Sequence, residues 1–119
     1  MKKPEGKVLV VEDVALIRMT IIDMVEQLGL TAAEAADGPA ALAVLKSDDG
    51  IAILLTDLGL PGMNGRELVE EALTLKPGLK VIIASGCSTE VEGAETLRGQ
   101  ATFLSKPFDM VQLRRVLGA

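Results

Sequence analysis

Three acids stand at the ends of apolar runs: Glu12 and Asp13 follow the run over 7–11, and Asp57 follows the run over 51–56. Ser85 and Lys106 close two further short runs, over 80–84 and 102–105. Carboxylates that converge repel one another, and each raises its neighbours' pKa unless a cation neutralises them. Mg²⁺ suits such a cluster, since it takes hard oxygen ligands from a few carboxylates and leaves room for water and a phosphate. Asp57 lies between a continuous apolar run and the breaker-rich Gly59-Leu60-Pro61-Gly62-Met63-Asn64-Gly65. That setting is rigid behind and open in front, as a carboxylate nucleophile requires. In-line phosphoryl transfer to Asp57 would depend on position and on neutralising the phosphoryl oxygens, which the metal and Lys106 would share while the Ser85 hydroxyl bonded another. Each residue alone has an ordinary reading: a helix cap for Glu12-Asp13, a loop former for Asp57, a cap or loop serine, a solvated lysine. Only their joint pattern is specific.

The elements that must position these groups can be read from periodicity and breakers. Strands are expected over 7–11, 31–35, 51–56, 80–84 and 102–105, the second at a sheet edge and the third at its centre. Helical spacing runs over 14–28 until Gly29, with Asp13 as the expected cap. Gly38-Pro39 opens a helix to about residue 46, with Pro39 in the first turn, where its missing N–H costs nothing. Further helices are expected over 66–75, ended by Pro77-Gly78, and over 89–97 and 108–117. Regular alternation implies right-handed crossovers, a parallel sheet and one edge collecting every strand's C-terminal end. Ligands of open α/β sheets bind at that edge, near the switch in strand order.

Length and composition narrow the function. A chain of 119 residues fits one domain, 1–119, with no second. Hydrophobic residues make up 49% and aromatics 2%, so the core must be aliphatic, which suits a parallel sheet covered by helices. A net charge of −5 argues against nucleic acid and anionic membranes, leaving proteins and cations as partners. The single cysteine, Cys87, excludes an intramolecular disulfide, no apolar run reaches the roughly 18 residues of a spanning helix, and Met-Lys-Lys-Pro-Glu-Gly opens no signal peptide. A cytoplasmic location and no membrane insertion are expected. The absence of histidine removes Ser-His-Asp and Cys-His catalysis, most zinc sites and the histidine-carrier role in a phosphorelay.

Four motifs then point to a family: Val-Val-Glu-Asp at 10–13, Leu-Thr-Asp-Leu-Gly-Leu-Pro-Gly-Met-Asn-Gly at 55–65, Ala-Ser-Gly at 84–86 and Phe-Leu-Ser-Lys-Pro-Phe at 103–108. Over nearly its whole length the chain resembles the receiver domain of bacterial two-component response regulators. The resemblance implies a flavodoxin-like, doubly wound five-stranded parallel sheet in the order 2-1-3-4-5, with helices on both faces. It also implies roles: Asp57 as phospho-acceptor, Glu12 and Asp13 as the acidic metal pair, and the Gly59 backbone carbonyl in the Mg²⁺ shell. Ser85 and Phe103 match the hydroxyl and aromatic switch positions, Lys106 the phosphate-binding lysine, and Lys106-Pro107 a bond commonly cis. The chain departs from the common pattern where Glu12 replaces Asp, Ser85 replaces Thr and Phe103 lacks a hydroxyl. Cys87 stands where a larger residue is usual, and Gly59 brings no side chain to a place that tunes water access.

The function so implied is phosphorelay signalling. A histidine kinase or phosphotransfer protein presents phosphohistidine, Asp57 takes the phosphoryl group with Mg²⁺ bound, and Phe103 turns inward as Ser85 moves. The face formed by the helix over 89–97, the last strand and the last helix then meets a downstream protein target. The chain is expected not to be an enzyme beyond its own phosphorylation and autodephosphorylation. An aspartyl phosphatase would want an acid where Gly59 stands; a flavin binder would want a phosphate loop after the first strand and a Trp or Tyr. A receiver acting without phosphorylation would not need its acids. With residue 119 just past the last expected helix, output is expected in another molecule or beyond this sequence, as for a free-standing regulator or a receiver of a hybrid sensor kinase.

Overall fold

The computed structural model describes residues 6–57, 59, 60, 62, 63, 65–85 and 101–118, with the backbone alone at Ser85. Apolar runs rich in Val, Ile and Leu form β1 (Lys7–Val11), β3 (Ile51–Asp57) and β4 (Lys80–Ser85), while β2 (Thr31–Ala35) and β5 (Thr102–Ser105) are shorter or more polar. All five pair in parallel, in the order β2-β1-β3-β4-β5 that the resemblance implies. Strands buried on both faces need continuous apolar runs, and residues 8–11 of β1 and 51–55 of β3 meet that demand. Thr31 and Glu34 are exposed on β2, as befits an edge.

Four helices among the described residues cover the sheet: α1 (Ala15–Gln27), α2 (Gly38–Ser47), α3 (Gly65–Leu75) and α4 (Met110–Leu117). Alternate strand residues point to opposite faces. Leu9, Leu54, Val81 and Ile83 therefore pack under Leu42, Leu45, Leu68 and Val69 of α2 and α3. Val10, Leu55 and Ile82 pack on the other side against Ile21 and Val25 of α1 and Leu113 and Leu117 of α4.

Three helix starts differ from the sequence expectation, that of α3 by a single residue, at Gly65 instead of Arg66. Val14 is the N-cap of α1 and has no side-chain cap. Asp13 does not serve; the Glu12 side chain turns back instead, Oε2 accepting the Val14 N–H at 3.0 Å. The last helix begins at Met110 because Asp109 caps it: Asp109 Oδ1 accepts the Gln112 N–H at 2.9 Å, and Gln112 Oε1 accepts the Asp109 N–H at 2.9 Å. This capping box satisfies two otherwise unpaired donors. Asp109→Ala is expected to cost about 1 kcal/mol and to lower Tm by about 4 °C, read as helical ellipticity on heating. The helix expected over 89–97 lies outside the described residues.

Asp37 caps α2 through the Ala40 N–H at 2.8 Å, and Pro39 takes the first turn as expected. At Gly38 a Cβ would stand 2.7 Å from Met63 Sδ and 2.9 Å from Met63 Cβ. The first turn of α2 thus rests directly on the loop that leaves β3.

Candidate functional site

Sheet register builds the site. Val11 pairs with Thr56, so the chain leaves β1 at Glu12 beside Asp57, the last residue of β3, at the point where strand order reverses. Asp57 pairs with Ala84, and Ser85 with Ser105, which sets Ser85 and Lys106 one step further along the same edge. Glu12, Asp13 and Asp57 each offer a carboxylate oxygen, and these atoms lie within 4.8 Å of one another. The expected convergence of the three acids is therefore observed.

Lys106 ties the cluster together. Its Nζ donates to Asp57 Oδ2 at 3.0 Å and to Glu12 Oε1 at 3.3 Å, bridging residues far apart in the chain. Asp57 Oδ1 accepts the Gly59 N–H at 3.1 Å, so both Asp57 oxygens are held. The Lys106–Pro107 bond is cis. Glu12 has a side chain 3% exposed, against 21% for Asp57 and 25% for Lys106, while Asp13 is exposed.

Burial pushes the Glu12 carboxyl above its ordinary pKa of 4.5, and the neighbouring Asp13 and Asp57 add to the rise; the Val14 N–H and Lys106 act against it. Burial alone would lower the Lys106 pKa, but the hydrogen bond and charge of Asp57, with the charge of Glu12, more than reverse this and raise it. One ammonium among three carboxylates leaves the crevice with an excess of negative charge. A set of hard oxygen donors this close, one of them buried and reluctant to ionise, fits a small divalent cation.

The sign of the pH dependence follows from Glu12. Its pKa is raised, so folding favours the protonated acid, and stability is lost as pH rises from the ordinary value to the raised one, the cost being complete above it. A cation binds only the ionised form and relieves that cost. Affinity of the cluster for a divalent cation is therefore expected to fall with decreasing pH before an ordinary glutamate would titrate, and Glu12→Gln should remove that part of the dependence. Calorimetric Mg²⁺ titrations at several pH values would check this.

Phe103 pairs with Ile83 and is half-buried against the α2–α3 side of the core. Ser85 ends β4, but its side chain and Cys87 lie outside the described atoms. One polar contact had no sequence signal: Arg18 of α1 donates through Nη1 to the Glu12 carbonyl at 2.6 Å and through Nε to Glu34 Oε1 at 2.9 Å. An arginine early in a helix after a strand end is too common to be read as such a strut.

A family model for the response regulator receiver domain matches residues 8–117. The chain belongs to the response regulator receiver domain family. This receiver is similar to a protein-glutamate methylesterase/protein-glutamine glutaminase of Caulobacter vibrioides, 37% identical over 107 residues that make 85% of this chain and 30% of that one. It is also similar to the chemotaxis protein CheY of Thermotoga maritima, 32% identical over 107 residues, 86% of each chain. The receiver domain of a sensor histidine kinase from Pseudomonas aeruginosa, solved with a magnesium ion coordinated in its active site cleft, superposes with a TM-score of 0.82. That match, at 24% identity over 96% of this chain and 95% of the other, is a likeness of fold. As a receiver the chain works in phosphorelay signalling, and the edge where β1 and β3 part is where its acids gather. No helix among the described residues is long and apolar enough to cross a membrane.

Proposed function

We propose that Asp57 is the phosphoryl acceptor of this receiver and that Glu12, Asp13, Asp57 and the Gly59 backbone carbonyl hold Mg²⁺ beside it. The observation that carries the reading is the joint bond of Lys106 to Asp57 and Glu12 within the carboxylate cluster. An ammonium so held stands ready to follow negative charge from the carboxylate to an incoming phosphoryl oxygen. The magnesium ion in the receiver cleft from Pseudomonas aeruginosa supports the choice of metal.

An Asp57 carboxylate oxygen gives its lone pair to phosphorus. The phosphorus–nitrogen bond of a phosphohistidine donor breaks, and its electron pair leaves with the imidazole, which takes up a proton. When bound by Glu12, Asp13, Asp57 and the Gly59 carbonyl, Mg²⁺ would supply neutralisation of the negative charge that builds up on transfer. The Gly59 N–H keeps Asp57 oriented while Lys106 shifts its hydrogen bond to the transferred group. The new group brings about two negative charges, which the Ser85 hydroxyl and Lys106 are there to bond. Phe103 turns inward in response and alters the surface offered to a downstream protein.

The donor is a histidine kinase or a phosphotransfer protein. A cleft of about 390 Å³ between α1 and the segment that joins β5 to α4 supports a protein donor, being lined by Ile17, Ile21, Met24 and Phe108 together with Lys106. Leu16 and Met19 stand exposed on the same helix. A protein seated there has its reactive group beside the residue that contacts Asp57. Residues 1–119 form one receiver domain, working in the cytoplasm and without catalysis beyond its own phosphorylation and dephosphorylation.

The test is to incubate the protein with acetyl phosphate and Mg²⁺ and to map the added mass. The phosphoryl group is expected on the peptide carrying Asp57 and only with the metal present. Modification at another residue, or none, would overturn the reading.

A further inference from the structure

Strand β1 runs out just before the residue whose side chain must be held most firmly. The Glu12 N–H is bonded to the Ala35 carbonyl of β2 at 3.1 Å, so its amide is fixed by the sheet edge. Its carbonyl has left the ladder, and Arg18 reaches back from α1 to meet it at 2.6 Å. The same guanidinium is held from the other side by Glu34 of β2 at 2.9 Å. With its side chain 15% exposed, Arg18 is far more enclosed than an ordinary surface arginine, and its planar fork bonds the sheet-edge carbonyl on one side and the more exposed Glu34 carboxylate on the other. Glu12 is thereby gripped on both sides of its α-carbon.

From this geometry we infer that Arg18 is a positioning residue for the metal site: through Glu34 and the Glu12 carbonyl it fixes the backbone from which the buried Glu12 carboxylate reaches the crevice. The inference rests on the reading that this crevice takes Mg²⁺. Partners that orient a ligand without touching the metal are commonly worth roughly 10–100-fold in metal affinity.

Charge and position predict opposite signs here. Arg18 is a cation bonded to a candidate metal ligand, so removing it would, by Coulomb attraction alone, tighten the binding of Mg²⁺. If Arg18 instead acts by holding Glu12 in place, its removal weakens binding despite the lost repulsion. A strut that merely joins α1 to β2 would lower Tm and leave Mg²⁺ affinity unchanged or improved.

The experiment is calorimetric titration of Mg²⁺ into the wild-type chain, Arg18→Met and Arg18→Lys, with a thermal melt of each. Arg18→Met is expected to weaken Mg²⁺ binding about tenfold, and Arg18→Lys, which keeps the charge but loses the fork, to weaken it by less. Unchanged or tighter binding in Arg18→Met overturns the inference while leaving the metal site intact. Should that variant fail to fold, Arg18→Lys decides alone: weaker binding at constant charge supports the role, and wild-type affinity overturns it. A wild-type chain that takes no Mg²⁺ removes the metal reading itself, and this inference with it.

Discussion

Asp57→Asn is expected to reduce phosphoryl incorporation from acetyl phosphate to the level of a protein-free control. The amide is nearly the same size as the carboxylate, and its oxygen can still accept the Gly59 N–H that Asp57 Oδ1 accepts at 3.1 Å. What it lacks is the anionic lone pair that attacks phosphorus. It also removes one of the three charges around the cation site, so calorimetric Mg²⁺ binding should weaken in parallel. The fold should survive. Repulsion from Glu12 is relieved while Lys106 keeps Glu12 as a partner at 3.3 Å, and these opposing changes leave Tm close to wild type. A thermal melt thus separates lost chemistry from lost structure, and incorporation at the native rate in Asp57→Asn would sink the acceptor assignment.

Leu54→Ala is expected to be the most damaging of the simple truncations for stability. Leu54 is fully buried, and its strand β3 is hydrogen-bonded to β1 on one side and β4 on the other, in register with Leu9 and Val81. The backbone cannot close over the void, because both neighbours hold it. Above Leu54 lie branched aliphatic side chains from α2 and α3, which fill gaps poorly without leaving their rotamers. Loss of transfer energy together with the cavity gives roughly 3–5 kcal/mol, a large part of the 5–15 kcal/mol typical of a whole domain. Urea unfolding followed at 222 nm is the suitable measurement, since the chain has neither tryptophan nor tyrosine to report by fluorescence. A loss below about 1 kcal/mol would mean that α2 and α3 settle into the space.

The parts of this design that repeat along the chain were the legible ones. Strands β2 and β5 fall on the expected residues because breakers bracket them, Gly29 before one and Pro107 after the other. The clustering of Glu12, Asp13 and Asp57 was legible too, since parallel crossovers bring every strand's end to one edge. Local side-chain choices were not. Asp13 has the right chemistry for a cap, yet it joins the acidic cluster, and Glu12 bonds the Val14 N–H instead. Phe108 follows a proline and looks like a helix start, but Asp109 has the geometry to cap and moves that start to Met110. Arg18 illustrates a deeper limit: one of its two acceptors is a carbonyl, and backbone carbonyls look alike in every sequence.

The contact between Gly38 and Met63 makes two distant sequence positions answer to each other. By helix propensity alone, alanine would be preferred to glycine at 38, the first residue of α2. Here the added methyl would collide with Met63, which follows β3, so a change favourable to α2 becomes unfavourable to the packing beside the edge where the acids gather. Substitutions at 38 and 63 are accordingly not separable, and a lineage that enlarged one would have to trim the other.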